Sequence, residues 1–459
     1  MNAMTKHILY LTLALGVLSG SSCRKYVEVE QPNQRTLKYT SDYQALLNNV
    51  SYFERSYTMP LLSEDDIDVN GNATLETRLT NELANIYTWA ADYYTAAQTD
   101  ATWDQLYNLI YECNVIIAGV MTSESGTTQQ KQQAYAEAKV QRAYTYLLLN
   151  NIYAPVYTAS GASAALGVPL VLSPDLFTDL TRPSLQTAFD QIVSDVTEAL
   201  PYLPAVPANN LHVAKAAAYA TLARTYLYMQ QYTKAADYAA QALAIQDSVL
   251  DITGFTTSLA NYPRRLLNPE IILSKSTYPP GFLYMPLSSE LLNYFSAADM
   301  RYNLYTRDGS SFYPSFTGRG SYKYNLFNGD YISTGPTVPE MMLIQAEGLA
   351  RNNQQDAAMA LVNKLRVKRF KAADYTPLTA ANGDDALKIV LDERRRELFD
   401  MGLRWFDQRR LNLESTLAQT ETRVFKGATY TLAPGSNRYV YPIAPGYIQL
   451  NPEIKQNDR

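Results

Sequence analysis

Two cysteines, two histidines and three tryptophans are the whole stock of the most versatile site-forming residues in a chain of 459. One cysteine, Cys23, sits in the N-terminal leader region, so Cys113 is the only thiol left for the folded body. A lone thiol cannot form an internal disulfide, and the fold must be held by its core. Of the histidines, His7 belongs to the leader and His212 lies in an Ala-rich stretch that reads as helix. That excludes a His-rich metal site and leaves a Ser-His-Asp triad a single candidate, which is read as structural. An all-oxygen calcium site is not excluded. No charge sign dominates: 39 Lys+Arg face 44 Asp+Glu, a formal net charge of −5. Nothing in that balance suits a nucleic-acid partner. The longest apolar run near the start, "ILYLTLALGVL" over 8–18, is too short for a bilayer, which takes about 20 residues.

That short run has a purpose of its own. Lys6 precedes it, and Ser19, Gly20, Ser21 and Ser22 follow. This is the pattern of a secretory signal peptide over 1–22. A cysteine placed directly after the small residues reads as a lipoprotein cleavage site, with Cys23 acylated and the mature protein anchored to a membrane by lipid. The plainer alternative is a secreted protein with an incidental cysteine.

Tyrosine is the abundant residue, 37 of them against 13 phenylalanines. Its apolar face and hydroxyl suit sugar rings and wet interfaces, but many recur at helical spacing and read as packing. Much of the chain reads as helix. "SDYQALLNNVSYFERSY" opens on Ser41 as an N-cap. "WDQLYNLIYECNVIIAGV" puts Trp103, Leu106, Tyr107, Ile110 and Cys113 near one face. "QQAYAEAKVQRAYTYLLLNNIY" is a helix ended by Pro155, and "RPSLQTAFDQIVSDVTEALPYLP" is another. "AYATLARTYLYMQQYTKAADYAAQALAI" places Leu222, Ala223, Tyr226, Ala235, Ala239 and Ala242 where a tetratricopeptide helix pair packs. A weaker copy carries Ala346, Leu349, Ala358 and Leu365. Between the copies, about a quarter of residues 278–331 are aromatic, against 12% overall. With its glycines and prolines this stretch reads as loops and short hairpins. The fold class is therefore mainly α: a tetratricopeptide-like helical stack with a loop-rich lobe carrying short hairpins.

Four stretches together resemble the SusD/RagB family: "CRKYVEVEQPN"; "AEAKVQRAYTYLLLNNIYAPV" followed by "GVPLV"; "DERRRELFDMGLRWFDQRRLN" over 392–412; and the closing "YPIAPGYIQLNPEIKQN". The resemblance spans nearly the whole chain and divides it at residue 260. It implies an N-terminal region over 23–260 with tetratricopeptide-like helices, and a C-terminal region over 261–459 with the aromatic lobe and closing helices. It also implies a non-catalytic outer-membrane lipoprotein at the cell surface. Such a protein binds oligosaccharides and hands them to a TonB-dependent transporter of the SusC type, without a cofactor or a metal. A peptide-binding protein of the RagB type is the nearest alternative. A surface hydrolase and a bare tetratricopeptide scaffold stand further off.

The residues are weighed individually. Arg394, Arg395, Arg396, Glu397, Arg404, Asp407, Arg409 and Arg410 read as a structural ion-pair network, with Glu393–Glu397 and Arg396–Asp400 sharing helix faces, and Trp405 and Phe406 as its seat on the stack. Asp65, Asp66 and Asp68, in "SEDDIDVNGNATLETR", read first as a solvated loop, then as acceptors for sugar hydroxyls, and last as catalytic carboxylates. Trp89 and Tyr93, four apart, would share one helix face as a stacking surface. The expected ligand contacts are Trp89 and Tyr93 with Asp66 and Arg78, and from the aromatic stretch Tyr278, Tyr284, Tyr313 and Tyr322.

Overall fold

The computed structural model describes residues 37–69, 71–255, 261–278, 285–323 and 331–459. The leader over 1–22, Cys23 and Tyr284 lie outside the described residues.

Helices of eight residues or more are α1 (Thr40–Leu47), α2 (Ala101–Gly119), α3 (Thr128–Tyr153), α4 (Leu185–Ala199), α5 (Lys215–Tyr228), α6 (Tyr232–Leu243), α7 (Val338–Arg351), α8 (Gln355–Arg366), α9 (Gly383–Leu398) and α10 (Leu403–Leu411). Local chemistry sets their ends. Asp100 caps α2 by accepting from the amides of Thr102 and Trp103, and Thr127 and Gln130 form a capping box on α3. Pro155 forces Ala154 out of the helical region and stops α3. The first expected helix is shorter than its pattern. It runs from Thr40 to Leu47 with Tyr39 at the N-cap, because Asp42 takes the amides of Lys38 and Tyr39. A second short helix begins at Val50.

The helices stack in sequence: α2 on α3, α3 on α4, α4 on α5, α5 on α6, α6 on α7, and α7 on both α8 and α9. This is the tetratricopeptide-like stack the repeats predict. Leu222, Ala223, Tyr226, Ala235, Ala239, Ala242, Ala346, Ala358 and Leu365 are all buried, and Leu349 packs on the core half-buried. The approach of α6 to α7 depends on Gly348. A Cβ there would lie 2.6 Å from both the Ala236 methyl and the Tyr232 carbonyl oxygen. One apolar core runs from Tyr57 to Ile454 and draws residues from both sides of residue 260.

Among the described residues, three two-stranded antiparallel ribbons edge the stack: β1 (Ser276–Thr277) with β4 (Ile332–Ser333), β2 (Thr306–Asp308) with β3 (Arg319–Ser321), and β5 (Glu421–Phe425) with β6 (Ala428–Leu432). The second lies inside the aromatic stretch, as expected, and the first brackets its two ends. The third, joined at Lys426 and Gly427 with both at positive φ, was carried by "RVFKGATYTL", whose alternation and Lys-Gly turn are the signal for it. His212 stands just before α5 rather than in a helix. Its Nδ1 lies 3.0 Å from Glu137 Oε1, and that hydrogen bond raises its pKa. No helix among the described residues is long and apolar enough to cross a membrane.

The arginine-rich stretch forms the ion-pair network, except that Arg409 pairs with no carboxylate and donates to the Ala154 carbonyl at 2.6 Å instead. Arg301 joins Glu393 and Glu397, both at 2.8 Å. Arg410 holds Glu347 at 2.6 Å, and Arg394 holds Asp407 at 2.7 Å. One expected pair is replaced. Arg396 binds Glu393 at 2.8 Å, because α9 ends at Leu398 and Asp400, at φ +60°, turns away to accept from Ser321.

Candidate functional site

A polar cleft of about 230 Å³ opens where three distant segments meet, lined by Asp65, Asp68, Trp89, Glu290, Glu421 and Arg423. The first segment is the loop after the short helix Pro60–Ser63. It is laid against residues 286–288 by an antiparallel bridge between Ile67 and Leu287. The Asp68 amide donates to the Pro286 carbonyl at 3.0 Å and the Ser288 amide to the Asp66 carbonyl at 2.8 Å. The second segment is the helical turn Ser289–Leu292, whose cap Ser288 accepts from the Leu291 amide. The third is β5.

The floor is a cation on two rings. The Arg423 guanidinium lies 4.1 Å from the ring centres of both Tyr87 and Trp89. It donates to the carbonyls of Tyr87 at 2.6 Å, Glu64 at 2.8 Å and Leu62 at 2.9 Å. The Trp89 indole N–H donates to the Ser63 carbonyl at 2.9 Å. Arg423 thus fastens β5 to the loop.

The wall is a set of ion pairs. Arg395 reaches Glu290 at 2.6 Å, Asp66 at 2.8 Å and Asp65 at 2.9 Å. Arg404 grips both Asp65 oxygens at 2.7 Å. Burial opposes ionisation of Asp65, but Arg404 and Arg395 outweigh it and hold the carboxyl at about 2. Glu421 is driven the other way. Burial and the Asp65 charge push it up to about 7. Beneath the wall, burial raises Asp66, Asp400 (to about 6) and, well above the usual carboxylate range, Glu64. Both Glu64 oxygens, one oxygen of Asp66 and one of Asp400 have no donor.

The sequence-predicted residues divide. Asp66 is fully buried on Arg395, so the acidic loop is not a solvated one. Trp89 is 1% exposed and reaches the cleft only as its floor. It does not share a helix face with Tyr93, because the helix Glu82–Tyr87 has already ended and Trp89 stands at φ +52°. Tyr93 is buried against Tyr441, ring centres 5.1 Å apart. Arg78 is exposed at the end of the helix Ala73–Arg78 and does not line the cleft. Tyr322 is half-buried under Arg307. Tyr313 is exposed, and Tyr278 is half-exposed beside Tyr331, ring centres 5.6 Å apart. Sequence reasoning missed Glu290, Glu421 and Arg423, which are single charged residues in unremarkable contexts. Among the described residues no group of three or more His, Cys, Asp or Glu side chains is placed to hold a metal ion.

Residues 25–227 match a family described as starch-binding and associating with the outer membrane, and residues 338–459 match the SusD family. A SusD-like protein of Formosa agariphila is 24% identical over 423 residues, covering 77% of this chain and 78% of that protein. Among solved structures, a SusD superfamily protein of Bacteroides thetaiotaomicron superposes with a TM-score of 0.73 at 20% identity, covering 92% of this chain and 100% of that one. A putative sugar-binding protein of Bacteroides vulgatus gives 0.70 at 19%, over 92% and 99%. A laminarin-binding SusD-like protein gives 0.63 at 17%, over 92% and 99%.

Proposed function

The chain belongs to the SusD/RagB family, and from that premise we propose that it binds carbohydrate at the cell surface, in the cleft between the 65–68 loop, Ser289–Leu292 and β5. The observation that carries this is the chemistry of the cleft. Two of its carboxylates, Asp65 and Glu290, are fixed by guanidiniums before any ligand arrives, so hydroxyl groups meet acceptors already in place and little ordering is left to be done on binding. Family descriptions that name starch and the outer membrane support the same reading.

The protein acts without catalysis. Glycoside hydrolysis needs one carboxyl to give a proton and a second to attack or to activate water. Asp65 cannot be that second group, because two arginines hold both of its oxygens. Acylation at Cys23 tethers the protein to the outer membrane, and a SusC-like TonB-dependent transporter receives the glycan. Tyr313 and Tyr278 are exposed, which supports a role for them in contacting ligand or transporter. The leader pattern and the family support these roles.

Affinity electrophoresis of residues 24–459 through native gels cast with a panel of polysaccharides tests the reading. Retardation by a glycan, weakened in Asp68→Ala, is expected. Retardation by none would overturn it in favour of a peptide ligand, and release of shortened product from a retained polymer would overturn the non-catalytic role.

A further inference from the structure

On the far side of the ion-paired wall lies a second cavity, of about 270 Å³, lined among others by Tyr294, Lys388, Arg404, Gln408, Asn412 and Glu421. Glu421 lines both spaces. Arg395 and Arg404 line the second, while their partners Glu290 and Asp65 line the first. The two are therefore separated by one layer of ion pairs and meet at Glu421.

Gln408 is the unusual member. It is 3% exposed, on α10 of the stack, with its amide beside the Glu421 carboxyl, whose ionised form it favours, and neither its Oε1 nor its Nε2 has another partner. A buried primary amide with hydrogen-bonding capacity to spare is costly, and native structures rarely keep one without a use for it. The amide offers a donor and an acceptor side by side. A hydroxyl group, which also does both, answers it fully. An anion would use only the donor and a cation only the acceptor. Glu421 faces the same amide. Tyr294 stands half-buried at the rim, with Arg395 5.1 Å from its ring centre.

We propose that this cavity is a second sugar subsite continuous with the first, in which the Gln408 amide and the Glu421 carboxyl bind the hydroxyls of an uncharged sugar ring. The proposal rests on the carbohydrate reading above and adds where a longer chain goes. The ligand is an oligosaccharide that crosses the wall at Glu421 and occupies both sides. Near neutral pH the raised Glu421 is part protonated, so it too can donate as well as accept, which again favours an uncharged ligand.

The test is titration calorimetry with laminari-oligosaccharide and malto-oligosaccharide ladders, disaccharide to hexasaccharide, on the wild-type protein and Gln408→Leu. Affinity in the wild type is expected to rise with chain length. Gln408→Leu should bind the longest chain about tenfold more weakly, the worth of losing two ordinary hydrogen bonds, and the shortest binding chain nearly as well as before. Hydrogen exchange on the wild type gives a second measure that needs no variant. The longest chain should protect amides of α10 and residues 416–423 as well as those of 65–69 and 286–290. Unchanged affinity of Gln408→Leu for the longest chain, or protection confined to 65–69 and 286–290, would overturn the second subsite and leave the first standing. Binding of neither ladder, or of any polymer in the gel panel, would overturn the carbohydrate reading and this inference together.

Discussion

The Arg395 guanidinium donates to Asp66 at 2.8 Å across 329 residues of chain. Both groups are buried, and the same arginine holds Asp65 and Glu290. One side chain of α9 thus fixes the acidic loop and the opposite lip of the cleft.

Removing that arginine strands buried charge. Arg395→Met should cost about 3–5 kcal/mol, the usual penalty for breaking a buried pair from one side. The double variant Arg395→Met/Asp66→Asn should recover part of it. Denaturant unfolding of the three proteins measures both, and an Arg395→Met midpoint equal to wild type would show that the wall is not stabilising.

Trp89 and Trp405 should behave differently although both are buried. Trp405→Ala, lost from a fully buried site packed on Tyr439 with ring centres 4.9 Å apart, should lower stability by about 3–5 kcal/mol and leave glycan affinity intact in the protein that remains folded. Trp89→Ala should lose a similar amount and also weaken binding, because Arg423 loses the ring it lies on. Melting curves and gel retardation separate the two effects.

The carboxyls under the cleft make stability depend on pH in an unusual direction. Burial holds Asp400 at about 6 in the folded protein, above the ordinary value near 4. The folded state therefore binds this proton more tightly than the unfolded state. Its contribution is fully present below about pH 4 and is lost as pH rises through 6, a change of about 3 kcal/mol. The groups that face it are Glu64, Asp66, Lys323 and the Ser321 hydroxyl, and the raised Glu64 and Asp66 act in the same sense. Asp400→Asn should flatten the fall in melting temperature between about pH 4 and 7. Asparagine also tolerates the positive φ at this position. A variant whose fall matches wild type would contradict the assignment.

Cys113 should be inert. Burial pushes its thiol up to about 12, so a disulfide reagent at neutral pH should leave it unmodified in the folded protein and label it fully in denaturant. Rapid labelling of the native state would show that α2 opens.

The helical stack was legible in the sequence because its signals are local. Small residues recur at helical spacing in Ala223, Ala235, Ala239 and Ala346, caps precede apolar runs, and Pro155 ends α3. The third β-ribbon was legible in principle from its Lys-Gly turn. The arginine-rich stretch announced an ion-pair network, but spacing could not choose partners. Arg396 binds Glu393 because the chain turns out of the helix before Asp400. The cleft was least legible. The 65–68 loop pointed to it, but Glu290, Glu421 and Arg423 reach it from segments hundreds of residues apart, and no local pattern marks them. Trp89 was noticed as an aromatic at the right place and turned out to lie under the site, since which face of a ring stays open depends on what packs over it. The sequence by itself determined most of the long helices and the packing faces of the two tetratricopeptide-like pairs, through periodicities a few residues long. The tertiary structure alone decided which charges face each other and which carboxylates remain for a ligand, because burial and ion pairing act across space.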